Sequence, residues 1–561
     1  MIRHPGRIRS AATTAAVLTT VLSLALGGCA ENGSGDSGEP GIAGESRETD
    51  RTAVGAEDRS ATGATPSPSP SRVYPLSRAP ATIPAVRSHE PARGPGWRPA
   101  SGRAVVTAPG GAGLTDEARL LAGELGLAFR GTAAARAGDV ELALTPGAPT
   151  APRPAAPPGA VGSESYTLTV SGDRVRIAAP TEAGVFYGTR TLKQAVRSGG
   201  SMPEGTVRDG PDRPQRGFMV DTARKFFDAA WIEDRLREMA DLKLNQLGLH
   251  FSDDQGFRIA STTHPEIVSP QHLTKAEVRR IIELAASLHI TVIPEIDSPG
   301  HLGAVLAKHP ALQLRDAAGR AVPGAVDIGD PASGRLVDEL LREYADLFDG
   351  AYWHLGGDEY QALTRRDPEA SFPELAALAR ERYGPQGRVQ DLAAAWVNDR
   401  ADVLRPDGRT LKAWNDGYTR GGRESVAEDI EVEYWTGKEI GARPPAEYLA
   451  EGRPVVNLND EYLYYVLGEP NDFVYPTGRR IYEEWTPLVL RGTRPVPARH
   501  SALILGGRFA VWCDLSKAQT PERIARGIAL PLRATAQKLW DPRTPARSWA
   551  EFRGLADRLG E

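Results

Sequence analysis

Short apolar runs alternate with helical patterns along most of the chain beyond residue 212. Each run has the length of a buried strand, and the stretches between the runs repeat their apolar residues at helical spacing. One helix start is explicit, because Thr274 and Glu277 match the capping box that opens a helix. Strands are predicted at residues 216–221, 245–251, 290–296, 351–357, 410–414, 430–435, 454–458 and 508–512, and helices at 229–242, 274–288, 333–347, 391–404 and 521–539. Eight strands alternating with helices predict an α/β fold, a (β/α)8 TIM barrel with insertions.

A small α/β domain is predicted ahead of the barrel, over residues 97–208. Its strand-like runs are residues 104–106, 140–144, 166–170 and 174–177, and its helical stretches are 115–125 and 182–196. It contains no cluster of candidate catalytic side chains, so we expect a structural role. A proline-rich stretch, residues 145–158, is expected to form an exposed loop. The barrel is assigned to residues 209–545 and a C-terminal tail to 546–561.

The first 29 residues have the pattern of a secretory signal. A basic start precedes an apolar run over residues 11–26, which is too short to span a bilayer. The run ends in Leu-Gly-Gly-Cys, which resembles the lipobox of bacterial lipoproteins, so Cys29 is predicted to be lipid-modified. Residues 30–96 are rich in Gly, Ser, Pro and Glu and are predicted to form a disordered tether. We therefore expect the protein at the extracellular face of a bacterial cell membrane, held by lipid alone.

The charge of the chain argues against nucleic acid as a partner, and its cysteine content argues against a disulfide. The chain has 67 Lys and Arg against 72 Asp and Glu, a net charge of -5, so electrostatic binding to nucleic acid is not expected. Cys29 and Cys513 are its two cysteines, and lipid on the first would leave none to pair with the second. No Cys/His spacing suggests a metal site, and no cofactor is expected.

The stretch A-Y-W-H-L-G-G-D-E-Y, residues 351–360, carries the strongest candidate chemistry. A buried strand there ends in two glycines, which allow backbone or ligand to approach closely. Asp358 and Glu359 follow directly. Two adjacent carboxylates push their pKa values apart, so that one can keep a proton while the other stays ionised. The pattern favours acid-assisted cleavage of an acetal.

In a barrel of this kind, side chains at the carboxyl ends of the strands converge on one mouth. The predicted strand ends supply Asp221, Arg224, His250, Asp253, Asp254, Asp297, His301, Asp358, Glu359, Trp414, Trp435, Tyr462, Trp512 and Asp514. Aromatic faces suit the C–H surfaces of sugars, and carboxylates and arginine suit their hydroxyls. We therefore expect a carbohydrate site at this mouth.

Six motifs, in order, resemble those of the family 20 glycoside hydrolases, the β-N-acetylhexosaminidases. They are R-G-F-M-V-D-T-A-R-K-F from Arg216, L-H-F-S-D-D-Q-G-F from Leu249, P-E-I-D-S-P-G-H from Pro294, H-L-G-G-D-E from His354, W-N-D-G from Trp414 and V-W-C-D from Val511. The resemblance covers roughly residues 97–545, including a small α/β domain common in that family. It implies retaining hydrolysis in which the substrate's own 2-acetamido oxygen attacks C1, an exception to the two-carboxylate scheme.

The resemblance also implies roles for individual residues. Glu359 would be the general acid and base, and Asp358 would orient the acetamide and stabilise the oxazolinium. Asp253 and His301 would form a polar relay behind Glu359. The other implied substrate contacts are Tyr462 to the acetamide oxygen, Trp396, Trp414 and Trp512 around its methyl group and the ring, and Arg224 to the hydroxyls of the terminal sugar.

Specificity is left open by one departure from the family pattern. Hexosaminidases usually have W-x-E where this chain has Trp512-Cys513-Asp514, and the shorter Asp514 leaves more room at the non-reducing end. Lacto-N-biosidases, which release a disaccharide, resemble the chain at this point, whereas retention of Arg224 favours release of a monosaccharide. Other motifs also resemble dispersin-type enzymes that cut poly-N-acetylglucosamine. A sugar-binding lipoprotein is the non-enzymatic alternative, but it would not need a proton donor such as Glu359.

Overall fold

The computed structural model describes residues 73–145, 163–438 and 441–560. The predicted signal, the lipid anchor at Cys29, most of the tether and nearly all of the proline-rich loop lie outside these residues. Within the described ranges, no helix is long and apolar enough to cross a membrane.

The first domain is a seven-stranded sheet with two helices. Its elements are β1 Ser88–Pro91, β2 Ala104–Thr107, α1 Thr115–Leu125, β3 Ala128–Thr132, β4 Val140–Leu144, β5 Tyr166–Ser171, β6 Arg174–Ala179, α2 Glu182–Gly199 and β7 Gly205–Asp209. The strand order is β1-β7-β5-β6-β4-β2-β3. The sequence pattern found β2, β4, β5 and β6 but not the two edge strands, whose side chains are mostly exposed and show little apolar alternation. It also missed β7, in which Val207 is the one large apolar side chain.

The second domain is a parallel barrel, as the sequence predicted. Its strands and hairpins are β8 Gln215–Asp221, β9 Gln246–His250, β10 Ser252–Asp253, β11 Gly256–Phe257, β12 Thr291–Glu295, β13 Gln313–Arg315, β14 Ala321–Val326, β15 Tyr352–His354, β16 Thr410–Trp414, β17 Glu431–Tyr434, β18 Val455–Asn457, β19 Tyr464–Val466 and β20 Ile504–Trp512. The closed order is β8-β9-β12-β15-β16-β17-β18-β20, with β20 pairing again with β8. All eight predicted barrel strands are present, and the fold prediction is confirmed.

Helices surround the barrel. They are α3 Ala229–Asp241, α4 Lys275–Ser287, α5 Gly303–Leu306, α6 Pro331–Ala345, α7 Pro368–Ser371, α8 Pro373–Tyr383, α9 Val389–Leu404, α10 Pro445–Ala450, α11 Gly478–Glu484, α12 Pro521–Trp540 and α13 Trp549–Gly560. Helix α4 begins with the predicted capping box, in which the Thr274 side chain accepts from the Glu277 N–H. Each long predicted helix has a counterpart within a few residues of its expected bounds.

The seventh strand position of the barrel is divided between two short strands. The first half of β20 pairs with β18, through Val455 and Ile504, and its second half pairs with β19, through Tyr464 and Ala510. The intervening residues 458–463 leave the sheet and return. The division places Tyr464 beside the end of β20, at the mouth.

Three buried charged side chains lie inside the barrel. Arg508 on β20 donates to Glu433 at 2.9 Å, and Lys412 lies 3.3 Å from the other oxygen of Glu433. Burial of such charges is tolerated because each has an opposite partner. Space for the Arg508 side chain depends on a neighbouring strand, since a Cβ at Gly217 would lie 2.8 Å from Arg508 Cγ.

The ordered fold extends beyond the domain limits expected from sequence. Ile83, placed in the tether, is buried and exchanges two 2.8 Å hydrogen bonds with the side chain of Gln194 on α2. Most of the predicted C-terminal tail is helix α13, which buries Phe552 and Leu555. The two segments also meet, because Arg547 donates to the carbonyl of Thr82 at 3.4 Å. These contacts join chain ends that are far apart in sequence, so local composition does not reveal them.

Candidate active site

The turn after β15 carries the central carboxylates. Gly356 has a φ of 73°, and a Cβ there would overlap the carboxylate of Asp297, so the position requires glycine. The next N–H, of Gly357, donates to Asp297 Oδ1 at 3.0 Å. This close approach of the turn to the end of β12 directs Asp358 and Glu359 into the mouth.

Glu359 has a strained backbone that a neighbouring carboxylate holds in place. Its φ is 45°, a left-handed conformation that side chains other than glycine rarely adopt. The Glu359 N–H donates to Asp416 Oδ2 at 2.8 Å, and the Trp435 indole N–H donates to Asp416 Oδ1 at 2.9 Å. Burial raises the pKa of Asp416 to about 7. Asp416 lies in the W-N-D-G motif at the end of β16, but nothing in the sequence indicates that it binds the backbone of Glu359.

His301, which follows β12, lies between carboxylates that follow two other barrel strands, β9 and β15. Its Nε2 lies 3.3 Å from Glu359 Oε2 and 3.6 Å from Asp358 Oδ2, and its Nδ1 lies 3.3 Å from Asp253 Oδ1. Although burial opposes the charged ring, Asp253 and Asp358 raise the pKa of His301 well above its usual value. The residues predicted as a relay therefore lie together, with the ring of His301 between Asp253 on one side and Asp358 and Glu359 on the other.

The pKa values of the two adjacent carboxylates differ, as expected, but in the opposite order. The inferred general acid, Glu359, should have the higher pKa, whereas the structure raises that of Asp358. Burial, and then the nearby charge of Asp297, raise the pKa of Asp358 well above its usual range. The imidazole of His301, whose Nε2 lies 3.3 Å from Glu359 Oε2, lowers the pKa of Glu359. The protein alone thus favours a proton on Asp358 and a charge on Glu359, a difference that adjacency in sequence could not reveal.

Arg224 is held by two carboxylates of the site. Its guanidinium contacts Asp221 at 3.0 Å and Asp253 at 2.8 Å, and its Cζ lies 5.4 Å from the ring centre of Trp512. Asp221 also accepts the backbone N–H of Cys513 at 3.0 Å. Arg224 therefore joins the ends of β8 and β20 as well as facing the pocket, so its presence does not discriminate between substrates.

Aromatic rings form one wall of the mouth. Trp512 lies 5.9 Å from Trp414 and 5.8 Å from Tyr464, measured between ring centroids, and Trp435 stacks on Tyr464 at 5.7 Å. The Trp414 indole N–H donates to buried Glu295 at 2.6 Å, which fixes the orientation of that ring. Such plates suit the apolar face of a sugar.

Trp396 reaches the site from helix α9 rather than from a strand end. Its indole N–H donates to Ser298 Oγ at 3.1 Å, next to Asp297. The guanidinium carbon of Arg400 lies 4.4 Å from the centre of the ring. The ring is almost completely buried. The structure thus places Trp396 behind Asp297 and Ser298.

Tyr462 does not face the site, contrary to the role inferred for it. Its hydroxyl donates to Glu484 at 3.2 Å, and Arg480 covers its ring at 4.3 Å. Tyr464 occupies the expected position instead, buried against Trp512, and after burial itself the charge of Asp358 is the largest influence raising its pKa. Residues 462–465, Y-L-Y-Y, contain three tyrosines that could face the site. The division of the seventh strand determines which of them points inward.

Asp514 follows the end of β20 and is exposed at the rim. Although the side chain reaches solvent, the protein around its carboxyl displaces part of the water there and raises its pKa, and the charge of Arg224 opposes this shift. The two residues are thus electrostatic neighbours at the outer end of the pocket. Cys513, between Trp512 and Asp514, is buried, and burial raises the pKa of its thiol well above the usual value.

Known proteins match both domains. The family model for the catalytic domain of glycosyl hydrolase family 20 matches residues 214–543, and that for domain 2 of the same family matches residues 79–210. A lacto-N-biosidase from Bifidobacterium bifidum is 29% identical over 406 residues, which are 71% of this chain and 35% of that protein. Beta-hexosaminidase 1 from Coccidioides posadasii is 28% identical over 337 residues, 54% of each chain. The chain therefore spans between about a third and a half of these relatives.

A solved structure shares the two-domain fold. The family 20 β-N-acetylhexosaminidase from Streptomyces coelicolor superimposes with a TM-score of 0.66 at 24% identity. The match covers 87% of this chain and 96% of the other. The likeness supports the observed arrangement of small domain and barrel.

Proposed function

Because the chain belongs to glycosyl hydrolase family 20, we propose that it is a retaining glycosidase that releases β-linked N-acetylhexosamine by substrate-assisted catalysis. The observation that carries this proposal is the convergence of Asp358, Glu359 and His301 beside an aromatic wall. The substrate's acetamido oxygen would attack C1, and an oxazolinium ion would form. A protein that only binds sugar has no need of a carboxylate fixed in a strained turn.

Glu359 would protonate the leaving oxygen and later take a proton from water. Its side chain is 40% exposed, so a sugar ring covering it would remove water from the carboxylate and raise its pKa. The positive charge that develops on the oxazolinium would have the opposite effect on Asp358, favouring its ionised form. The substrate would thus reverse the proton distribution of the protein alone.

Tyr464 would donate its hydroxyl hydrogen to the acetamide oxygen. Trp414 and Trp512 would enclose the methyl group and the sugar ring, with Trp396 behind the carboxylates. This assignment keeps the role first inferred for Tyr462 and moves it to the tyrosine that lies against Trp512. Holding the acetamide oxygen close to C1 lowers the barrier by positioning rather than by added binding.

Release of a disaccharide is a second candidate. Two observations favour it: Asp514 stands where the longer glutamate is usual, and it is exposed at the rim. The relative named lacto-N-biosidase matches 71% of this chain. An outer sugar ring would extend past Asp514 toward solvent, because the shorter side chain obstructs this direction less than a glutamate would. Cleavage of poly-N-acetylglucosamine, by contrast, has only sequence motifs in its favour.

A substrate panel tests the proposal. Chromogenic N-acetylglucosaminides, N-acetylgalactosaminides and lacto-N-biosides should be compared with matched glucosides that carry a 2-hydroxyl. We expect no measurable turnover of the glucosides, because they lack the internal nucleophile, and strong inhibition by a thiazoline mimic of the intermediate. Comparable rates on glucosides would mean an enzyme nucleophile and end the assignment of Asp358. Turnover confined to lacto-N-biosides would select the disaccharide candidate.

The cellular site is proposed to be the outer face of the cell membrane, with lipid on Cys29 as the anchor. Acyl chains supply the binding free energy of such anchors, so Cys29→Ser should move the protein into the soluble fraction. Cys513→Ser is the matched control, because Cys513 is buried in the barrel, and should leave membrane association unchanged. Finding the unaltered protein wholly in the soluble fraction of its native host would contradict the anchor.

A further inference from the structure

A cluster of two histidines and two glutamates lies outside the carbohydrate site. The histidine–glutamate cluster comprises His264 and Glu266, from the segment after β11, His309, from the segment after α5, and Glu339 on α6. One donor atom from each of His264, Glu266 and His309 lies within 4.8 Å of the others. The first two segments are insertions on the mouth side of the barrel. Neither the catalytic proposal nor the family motifs use any of these four residues.

The cluster has more histidine–carboxylate contacts than two neutral histidines have N–H donors. His264 Nδ1 lies 3.1 Å from Glu266 Oε1, and His264 Nε2 lies 3.0 Å from Glu339 Oε2. His309 Nε2 lies 2.9 Å from the same Glu266 oxygen. A neutral imidazole carries one N–H and can satisfy only one carboxylate. One of the two contacts of His264 therefore requires a second proton, on the ring or on a glutamate, or a cation in its place.

The distances match those between the ligands of a small tetrahedral ion. Bond lengths of about 2.0–2.1 Å to nitrogen and oxygen place neighbouring ligand atoms roughly 3.3 Å apart in a tetrahedron. The Glu266 oxygen already lies 3.1 and 2.9 Å from nitrogens of the two histidines. The set of two imidazoles and one carboxylate is also that of known zinc sites with an open position.

Glu339 supplies an independent feature of such a site. Histidine ligands commonly donate their second N–H to a carboxylate, which orients the ring. With a metal at Nδ1, the Nε2–H of His264 would donate to Glu339, which is 3.0 Å away. We propose that His264, Glu266 and His309 bind one divalent ion of the Zn²⁺ type, with Glu339 as the partner that orients His264.

The ion would join two segments that are distant in sequence, one with His264 and Glu266 and the other with His309, and His264 would connect it to Glu339 on α6. His264 and His309 each precede a proline and stand directly before a short 3₁₀ helix, Pro265–Ile267 and Pro310–Leu312 respectively. His309 lies in the segment that begins after His301. Side-chain exposures of 13% for His264 and 28% for His309 leave the cluster accessible to ions from solution. Binding would raise the thermal stability of the folded chain, since the unfolded chain holds no such site.

Calorimetric titration of the metal-stripped protein with ZnCl₂ tests the proposal, with MgCl₂ as the control ion. We expect one Zn²⁺ per chain, a higher Tm with Zn²⁺ and no response to Mg²⁺. His309→Gln should abolish this binding, and Glu339→Gln should weaken it by about 10- to 100-fold, the usual effect of losing an orienting carboxylate. His500→Gln is the matched control for surface histidines and should bind as the unaltered protein does. Hydrolase activity of the variants reports their folding.

Three results would overturn the proposal. Absence of saturable Zn²⁺ binding would mean that the cluster is held by hydrogen bonds alone and is not a metal site. Equal binding by His309→Gln and the unaltered protein would place the metal elsewhere. Loss of the bound ion on replacing His301 but not His309 would move it to the carbohydrate site, where His301 lies near Asp253, Asp297 and Asp358.

Discussion

Glu359→Gln is expected to lower kcat/KM by about 10²- to 10⁴-fold on glycosides whose leaving group is a sugar hydroxyl, the usual contribution of general acid catalysis. Glutamine keeps the volume of the side chain but has no proton to transfer. Substrates with an activated phenol leave without protonation and should lose far less. The dependence on leaving group, rather than the loss itself, identifies the general acid.

Asp358→Asn is the matched variant for this experiment. Its carboxylate would stabilise the oxazolinium, which must form whatever the leaving group, so both substrate types should slow alike. Steady-state rates on a series of aryl glycosides of rising phenol pKa measure the difference. If Glu359→Gln showed the same loss across the series, Glu359 would not be the general acid. Near-normal rates for Asp358→Asn would likewise remove its proposed role.

Tyr464→Phe is expected to reduce kcat by about 10²- to 10³-fold, the range found when one preorganised donor to a developing charge is removed. Its hydroxyl lies in the buried aromatic wall beside Asp358, where water cannot replace the lost hydrogen bond. Since the acetamide oxygen must be held toward C1, the loss should fall mainly on kcat rather than on KM.

Tyr462→Phe provides a close control, because the chain offers an identical substitution two residues away. Tyr462 contacts Glu484 and Arg480 rather than the carboxylates of the site, so loss of its hydroxyl should leave kcat close to that of the unaltered protein. The Tm of both variants should be measured, and kcat should be compared at a temperature at which both are fully folded. A large loss for Tyr462→Phe with a small one for Tyr464→Phe would restore the role that sequence first suggested.

The barrel and its order of strands could be predicted because the relevant signals are local. A buried strand and an amphipathic helix each show their own period within a dozen residues, and a capping box such as Thr274 with Glu277 occupies four. Most of the residues at the mouth followed from the same pattern, since the carboxyl ends of parallel strands meet at one end of the barrel. Asp416 was missed because its role is to hold the backbone of Glu359, 57 residues away.

The sequence by itself determined the fold class, the family resemblance and the carboxylate pair Asp358 and Glu359, since each can be recognised from residues adjacent in the chain. Only the tertiary structure decided three other matters: that Tyr464 rather than Tyr462 faces the site, that the small domain begins before residue 97, and that burial raises the pKa of Asp358 while His301 lowers the pKa of Glu359. Strand division, domain packing and burial depend on groups distant in sequence. A pKa in particular reflects the local dielectric and the nearest charges, here Asp297 and His301, which the fold alone brings into contact.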